Sequence, residues 1–527
     1  MAASYKLAVI ITNPVNDDEL LLVKQAPPPK FDDEEYDSYV DSHLWDLPSA
    51  QLLLHQGGQS NSVVFIQDQD LCSHKIDFTT LDFAPALNQV LAEVGFGETS
   101  GTQWKFSKFV EEPDFGPGNP IHTVYITGQL GPEDGVLKEH CKWMSDQSYR
   151  KCLLDLKPSN VRIGPLAVLG PLENSLHSDK WTIPPNLHSQ EYPPGIIIIP
   201  MGSRTGKPFR TTNLVVFASE SSHDNCGDHG FIAHGDALII DPGCRSEFHK
   251  ELRDVVAALP KKLVVFVTHH HNDHVDGLSA VQKSNPDASL LAHDSTMRRI
   301  RKDGLSLSYT PVSGAEEICI GGQRLRVISA PGHTDGHMAL LHLSTHSLIV
   351  GDHCVGQGSA VLDISSGGNM NDYFQTTYRF MEVSPCTLIP MHGRINLWPK
   401  HLLCEYLKNR RNRESSVLKS IEDGAETLFD IVANVYSNVD RSFWFLAASN
   451  VRLHVDHLAH QNKLPKEFPL QKYQRTCGVH FLSRWLLACA RSRVARKYNM
   501  LGKAKLPCTV ALLTVGLAVI YSVRSKA

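Results

Sequence analysis

The sequence predicts an α/β protein built from several units, and three observations carry that expectation. Short apolar runs alternate with helix-length segments as far as about residue 398, and most of these runs end at a Pro, Gly, His or Asp. A cluster of prolines, Pro184, Pro185, Pro193 and Pro194, separates two such stretches. From about residue 400 the pattern turns helical, and one long uncharged apolar run, Leu506–Val523, comes near the end. The chain has 527 residues, room for about three domains at ~150 residues each. Hydrophobic residues are 42% and charged residues 20%, a globular balance that excludes wholesale disorder, collagen and coiled coil. A net charge of -5 gives no overall nucleic-acid signature. That total hides an asymmetry: after Glu467 there is no acidic residue but eleven Lys and Arg, a basic tail on an acidic body. The twelve cysteines form no C-x-x-C pair and do not read as a disulfide framework, so a reducing compartment is expected.

The first unit is expected over residues 1–175. Leu7–Thr12 and Glu19–Lys24 flank Asn-Pro and Asn-Asp-Asp, a hairpin signal. Phe83–Val94 reads as a helix closed by Gly95, and His122–Gly128 as a strand. A linker occupies 176–195. Strands are then expected at Ile196–Ile199, Leu214–Phe217, Ala237–Ile240, Leu263–Thr268, Leu290–Ala292, Leu325–Ser329, Leu348–Val350 and Thr387–Ile389, within a unit spanning 196–400. Helices Leu402–Ile421, Thr427–Tyr436 and Phe443–Leu464 form a small unit over 401–470. A basic amphipathic segment fills 471–505 and suits a membrane interface. The run 506–523 meets the lower length for a membrane span and has Lys503, Lys505, Arg524 and Lys526 on its flanks. It is expected to be a transmembrane tail anchor, making this a single-pass protein with its catalytic body in the cytosol.

The chemistry centres on Val267-Thr268-His269-His270-His271-Asn272-Asp273-His274. An apolar strand delivers this loop. Imidazole nitrogen and carboxylate oxygen are the donors that zinc and similar divalent metals take. His269 and His271, two apart on extended chain, point the same way. Asp273 and His274 follow on a turn, and so many donors suggest two adjacent metals. Further candidates end later strands: His333 in Pro331-Gly332-His333, Asp352 in Gly351-Asp352, and His392 in Met391-His392-Gly393.

These residues resemble the metallo-β-lactamase-fold hydrolase superfamily, whose motif order is Asp, H-x-H-x-D-H, His, Asp, His. The match covers roughly residues 195–400 and implies an αββα sandwich. It implies two Zn2+ ions, one held by His269, His271 and His333, the other by Asp273, His274 and His392, with Asp352 bridging. Asp241 corresponds to the aspartate that supports these ligands from behind. Such a pair makes a bridging hydroxide near neutral pH, and Asp273 is the expected catalytic residue that orients it. His337, in Pro331-Gly332-His333-Thr334-Asp335-Gly336-His337-Met338, is expected to contact substrate, and His270 is not required as a ligand.

That phrase, the Tyr406–Glu414 helix and Ser449–Leu458 are similar to the lactamase-β-like protein 2 group, to about residue 468. This resemblance implies a small winged-helix-like domain behind the catalytic one and an endoribonuclease acting on single-stranded RNA. Arg410, Arg411 and Arg413 are the candidates for tracking an RNA backbone. A thioester or small-ester hydrolase of the glyoxalase-II kind is the alternative, since the same core runs that chemistry. A membrane-tethered, non-enzymatic scaffold is the third. No second protein partner is identifiable.

Residues 1–175 resemble a degenerate Nudix-like domain. Leu44-Trp45-Asp46-Leu47-Pro48 looks like the entry to the Nudix box, and Asn88–Phe96 lies where its acidic helix is expected. Only Glu93 of the acids remains, too few to hold magnesium on a pyrophosphate. A binding, scaffolding or purely structural role is therefore expected for this unit.

Overall fold

The computed structural model describes residues 3–31, 34–54, 80–97, 104–130, 135–154, 161–172, 183–218, 230–300 and 306–500. It divides into two compact units, Met1–Asn412 and Arg413–Ala527. The larger unit holds three sheets, of nine, seven and six strands.

The nine-stranded sheet is N-terminal. Ser4–Thr12 is its hub, pairing parallel to Ile121–Gln129 and antiparallel to Ser49–Leu54. The alternation read in the sequence is explained by two cores. Leu7, Val9 and Ile11 face one, against the Phe83–Val94 helix, while Ala8 and Ile10 face the other. That helix ends as expected at Gly95, whose φ of 101 closes the last turn.

The seven- and six-stranded sheets lie face to face. Ile198, Val215, Phe217, Leu238, Ile240, Val264 and Phe266 of the first share one core with Leu325, Val327, Leu340, Ile349 and Ile389 of the second. The opposite face of the first sheet is covered by helices His249–Ala258 and Leu278–Ser284, through Leu252, Val255, Val256, Leu278 and Val281. Central strands such as Ala237–Ile240 and Leu263–Phe266 are buried along their whole length, which is why they read as continuous apolar runs. The layered arrangement is thus helix, sheet and sheet, with Met370–Val383 a further amphipathic helix. Strand ends of both sheets deliver the polar loops described below.

The second unit is all helical among its described residues. Leu428–Val435, Trp444–His460, Leu470–Thr476 and Val479–Met500 enclose a core of Val417, Ile431, Val432, Val451, Val455, Tyr473 and Phe481. The expected boundary at 470 therefore shifts: Tyr473 and Phe481, read as part of a separate amphipathic segment, are core residues.

The expected transmembrane helix is corrected. No helix among the described residues is long and apolar enough to cross a membrane. The Val479–Met500 helix is long enough, but its sequence includes Arg484, Arg491, Arg493, Arg496 and Lys497, charges too costly for a hydrocarbon core. The run 506–523 lies outside the described residues. The tail-anchored placement drawn from it is withdrawn.

Candidate metal centre

Five chain segments converge where strands of the seven- and six-stranded sheets end. The first begins at Asp241, which follows the Ala237–Ile240 strand and is held at φ 52, an unusual conformation for a residue other than glycine. Its Oδ1 accepts the Thr268 N–H at 2.7 Å and its Oδ2 the Thr268 hydroxyl at 2.6 Å. Oδ2 also meets His274 Nδ1 at 2.8 Å. Asp241 is fully buried and so pins the whole 268–274 loop. Gly243 lets that loop approach, because a Cβ there would lie 1.7 Å from the Asp273 carbonyl oxygen.

The loop presents two groups of donors. In the first, His269 Nε2 lies 3.0 Å from His271 Nδ1, and His333 Nε2 lies 3.2 and 3.1 Å from these two atoms. Burial, then repulsion from His274, His333 and His271, holds the His269 imidazole well below its usual pKa. Burial likewise lowers His333 to about 4. Neutral imidazole is the form that ligates metal. In the second, His392 Nε2 is 3.4 Å from Asp273 Oδ2, and His274 Nε2 is 3.8 Å from Asp273 Oδ1. Each group is compact enough to hold a cation.

Asp352 lies between them. Its Oδ1 is 3.4 Å from His392 Nε2 and 3.5 Å from His274 Nε2, while its Oδ2 is 3.9 Å from His333 Nε2. Burial opposes its charge, but His392 and His274 hold its carboxyl well below the usual range. In return Asp352, with Asp273, raises His392 to about 9 against its burial. His274 Nε2 and Asp352 Oδ1 are buried with no hydrogen-bond partner. A buried polar atom left unpaired is costly, and here two of them face the same point. This donor set, imidazoles and carboxylates with lone pairs converging, fits divalent metal ions.

The far ring nitrogens are also engaged, which fixes each tautomer. His333 Nδ1–H donates to the Val361 carbonyl. His392 Nδ1–H donates to the Thr211 carbonyl at 2.9 Å. His271 Nε2 meets Asp363 Oδ2 at 3.1 Å. Sequence reasoning missed all three partners. Two are backbone carbonyls, which have no residue signature, and Asp363 stands in no motif. A third compact group, His270, His271 and Asp363, arises from the same contact; His270 Nε2 also meets Ser366 Oγ at 3.0 Å.

The four expected substrate contacts, His337, Arg410, Arg411 and Arg413, each make contacts within the protein. His337 is buried, 1% exposed, beneath Asp352. Its Nδ1–H donates to the Ala330 carbonyl at 3.1 Å, and its Nε2 accepts the Asp352 N–H at 3.0 Å. It supports the carboxylate turn, and both of its ring nitrogens are engaged there. Arg410 is buried, with its guanidinium on the Ala360 carbonyl and over the Tyr373 ring. Arg411 is bonded to Glu35 and Tyr378. Arg413 donates to the Val435 carbonyl and lies over Tyr436. All three guanidinium groups are engaged within the protein.

Residues 230–381 match the Metallo-beta-lactamase superfamily. The chain carries a metallo-beta-lactamase superfamily domain. Its relatives include two proteins named Beta-lactamase-like protein 2 homolog. The one from Caenorhabditis elegans is 25% identical over 41% of this chain and 72% of its own length. The one from Drosophila melanogaster is 27% identical over 43% of this chain and 80% of its own length. A hydroxyacylglutathione hydrolase from Gloeobacter violaceus is 30% identical over 31% of this chain and 58% of its own length. The metallo-beta-lactamase domain is thus of a hydrolase family that usually binds metal ions, and its His and Asp groups are placed to hold them.

Proposed function

We propose that the protein is a binuclear zinc hydrolase acting on a thioester or small ester. The observation that carries the two-metal part is Asp352, whose two oxygens face the two donor groups while Oδ1 and His274 Nε2, 3.5 Å apart, have no hydrogen-bond partner. His269, His271 and His333 would hold one ion, and Asp273, His274 and His392 the other, with Asp352 shared. Mixed imidazole and carboxylate donors suit zinc. Two such ions, when bound, polarise the scissile carbonyl and acidify a water near neutral pH.

The residues of the chain then set the geometry. Asp273 has its pKa lowered to about 2, because His274 and His392 outweigh its burial, so it is ionised at neutral pH. It accepts a hydrogen bond from the attacking water and orients it, and it does not serve as the acid. Asp241 fixes His274 by holding Nδ1, which leaves Nε2 for the centre. His337 holds the Asp352 turn from below.

Two observations favour an acyl substrate over the endoribonuclease expected from the family resemblance. The arginines meant to track RNA are engaged internally. A relative carries the name hydroxyacylglutathione hydrolase. The test is hydrolysis by the zinc-loaded full-length chain, run in parallel on an acyl thioester and on single-stranded RNA, with Asp352→Ala as blank. Thioester turnover above the blank is expected. RNA cleavage with no thioester turnover would restore the endoribonuclease reading, and silence on both would leave the metal site structural.

A further inference from the structure

A long connection joins two hairpin-paired strands of the N-terminal sheet. Lys105–Val110 and Ile121–Gln129 pair antiparallel, and such strands are commonly joined by about 2–5 residues. Here residues 111–120 intervene. This loop packs on the two segments that carry and support His392.

Two routes run from it to that ring. Along the first, the Glu112 carboxylate takes the Arg394 guanidinium in a forked pair, Nε to Oε1 at 2.6 Å and Nη2 to Oε2 at 2.8 Å. Arg394 Nη2 also donates to the Asn119 carbonyl at 2.8 Å. Arg394 is two residues from His392, across Gly393 at φ 91. Along the second, Asp114 holds Arg210 at 2.9 Å, and the Thr211 hydroxyl donates to the Asp114 carbonyl at 3.3 Å. Thr211 then offers its own carbonyl to His392 Nδ1–H at 2.9 Å. Phe115 is 1% exposed and belongs to the core between the two sheets, which also holds Val215, Ile389 and Met391. Asn213 ties the two segments together, donating from Nδ2 to the Pro390 and Gly393 carbonyls, each at 2.8 Å.

Among the described residues the first donor group is held differently: His271 is oriented by Asp363 and His333 by the Val361 carbonyl, both within residues 196–400. We infer that the 111–120 loop is a positioning element for His392, with Glu112 and Arg394 as its positioning residues, so that the N-terminal domain completes one of the two metal sites. This gives a domain short of Nudix acids a role in the neighbouring chemistry. The inference rests on the two-metal reading above, and its test separates the two.

The experiment uses the full chain and four proteins: wild type, Glu112→Ala, Glu112→Gln and Glu317→Ala. Glu317 pairs with Arg324 and Arg326 on a different strand edge, so it reports the general effect of losing an arginine clamp. Zn2+ affinity is measured by titration calorimetry. Hydrogen exchange is measured on the metal-free chains over residues 208–214 and 388–396. In Glu112→Ala, one site is expected to weaken by about tenfold or more while the other is unchanged, the range seen when outer partners of ligands are lost. Glu112→Gln keeps an acceptor for Arg394 and should recover most of that loss. Glu317→Ala should show no such split. Exchange should rise in both peptides of Glu112→Ala only. Equal weakening of both sites, or unchanged affinity, would overturn the inference. If wild type itself binds fewer than two ions, the two-metal reading fails, and unchanged exchange in Glu112→Ala would then refute the positioning role independently.

Discussion

Asp46 and Asp241 are both buried carboxylates at strand ends, one in the N-terminal sheet and one in the catalytic sandwich. Asp46 turns inward on the backbone. Its oxygens accept the N–H groups of Leu47 at 2.9 Å, Ala167 at 2.8 Å and Leu166 at 3.3 Å, closing the start of the helix after Gly164. Asp241 accepts Thr268 in the same way, but its second oxygen also takes His274 Nδ1 and so aims Nε2 at the centre with no hydrogen-bond partner there. The difference lies in what is left over. Around Asp46 every carboxylate oxygen ends on backbone, and the site is closed. Around Asp241 the bonding is satisfied on one side and open on the other, which is what a ligand site requires.

The largest effect should separate these two regions. Asp352→Ala removes the carboxylate shared by both donor groups. Hydrolysis should fall by at least about a thousandfold, since losing several kcal/mol of charge stabilisation costs roughly tenfold per 1.4 kcal/mol. Chelation of the wild type should do the same and be reversed by Zn2+. Turnover of Asp352→Ala within about tenfold of wild type would break the comparison.

Asp46→Ala should show the opposite pattern. Stranding backbone N–H groups that were buried costs about 1–3 kcal/mol each, so stability should drop by roughly 3 kcal/mol while turnover per folded molecule holds. Its pH signature is distinct. Burial raises the Asp46 carboxyl from 3.8 to about 6. Between those values the native state holds a proton that the unfolded state has lost. Stability from this group is therefore fully present below about pH 4 and declines as pH rises through about 6. Urea unfolding at pH 4 and pH 7 should show that decline in wild type and its loss in Asp46→Asn. An Asp46→Asn protein with the wild-type profile would refute the assignment.

The candidate metal donors were legible because they sit together in sequence. His269, His271, Asp273 and His274 occupy one loop after a buried strand, and His333, Asp352 and His392 each end a later element. Their supporting partners were not legible, because Asp363 meets His271 across 92 positions and Thr211 acts through its carbonyl. Arg410 shows where helical spacing and a count of basic residues point in different directions. Leu403, Tyr406, Leu407 and Arg410 recur at 3, 4 and 7 residues, one buried helix face. That spacing already placed Arg410 inside, whereas counting basic residues placed it outside.

His337→Phe probes a smaller effect inside the same centre. Phe fills the space but can neither donate to Ala330 nor accept from Asp352. Activity should fall about 10- to 100-fold, the range for lost outer partners of a metal site, with KM little changed because the ring is buried and both its nitrogens are engaged within the protein. A rise in KM with kcat preserved would instead make His337 a substrate contact, as the sequence suggested.

Arg411→Ala should have the smallest effect, and it bears on the helical stretch that resembles an RNA-cleaving group. Its guanidinium is held by Glu35 and Tyr378 and its side chain is 46% exposed. Exposed ion pairs contribute about 0–1 kcal/mol, so the unfolding midpoint should move by no more than about 0.5 kcal/mol in free energy. If this arginine neutralised an RNA phosphate, its loss would reduce the slope of log affinity against log salt by about one. The expected slope is unchanged, because the charge is already neutralised by Glu35. A flattened slope would mean that RNA displaces Glu35 from Arg411, and would return this helix to the nucleic-acid reading.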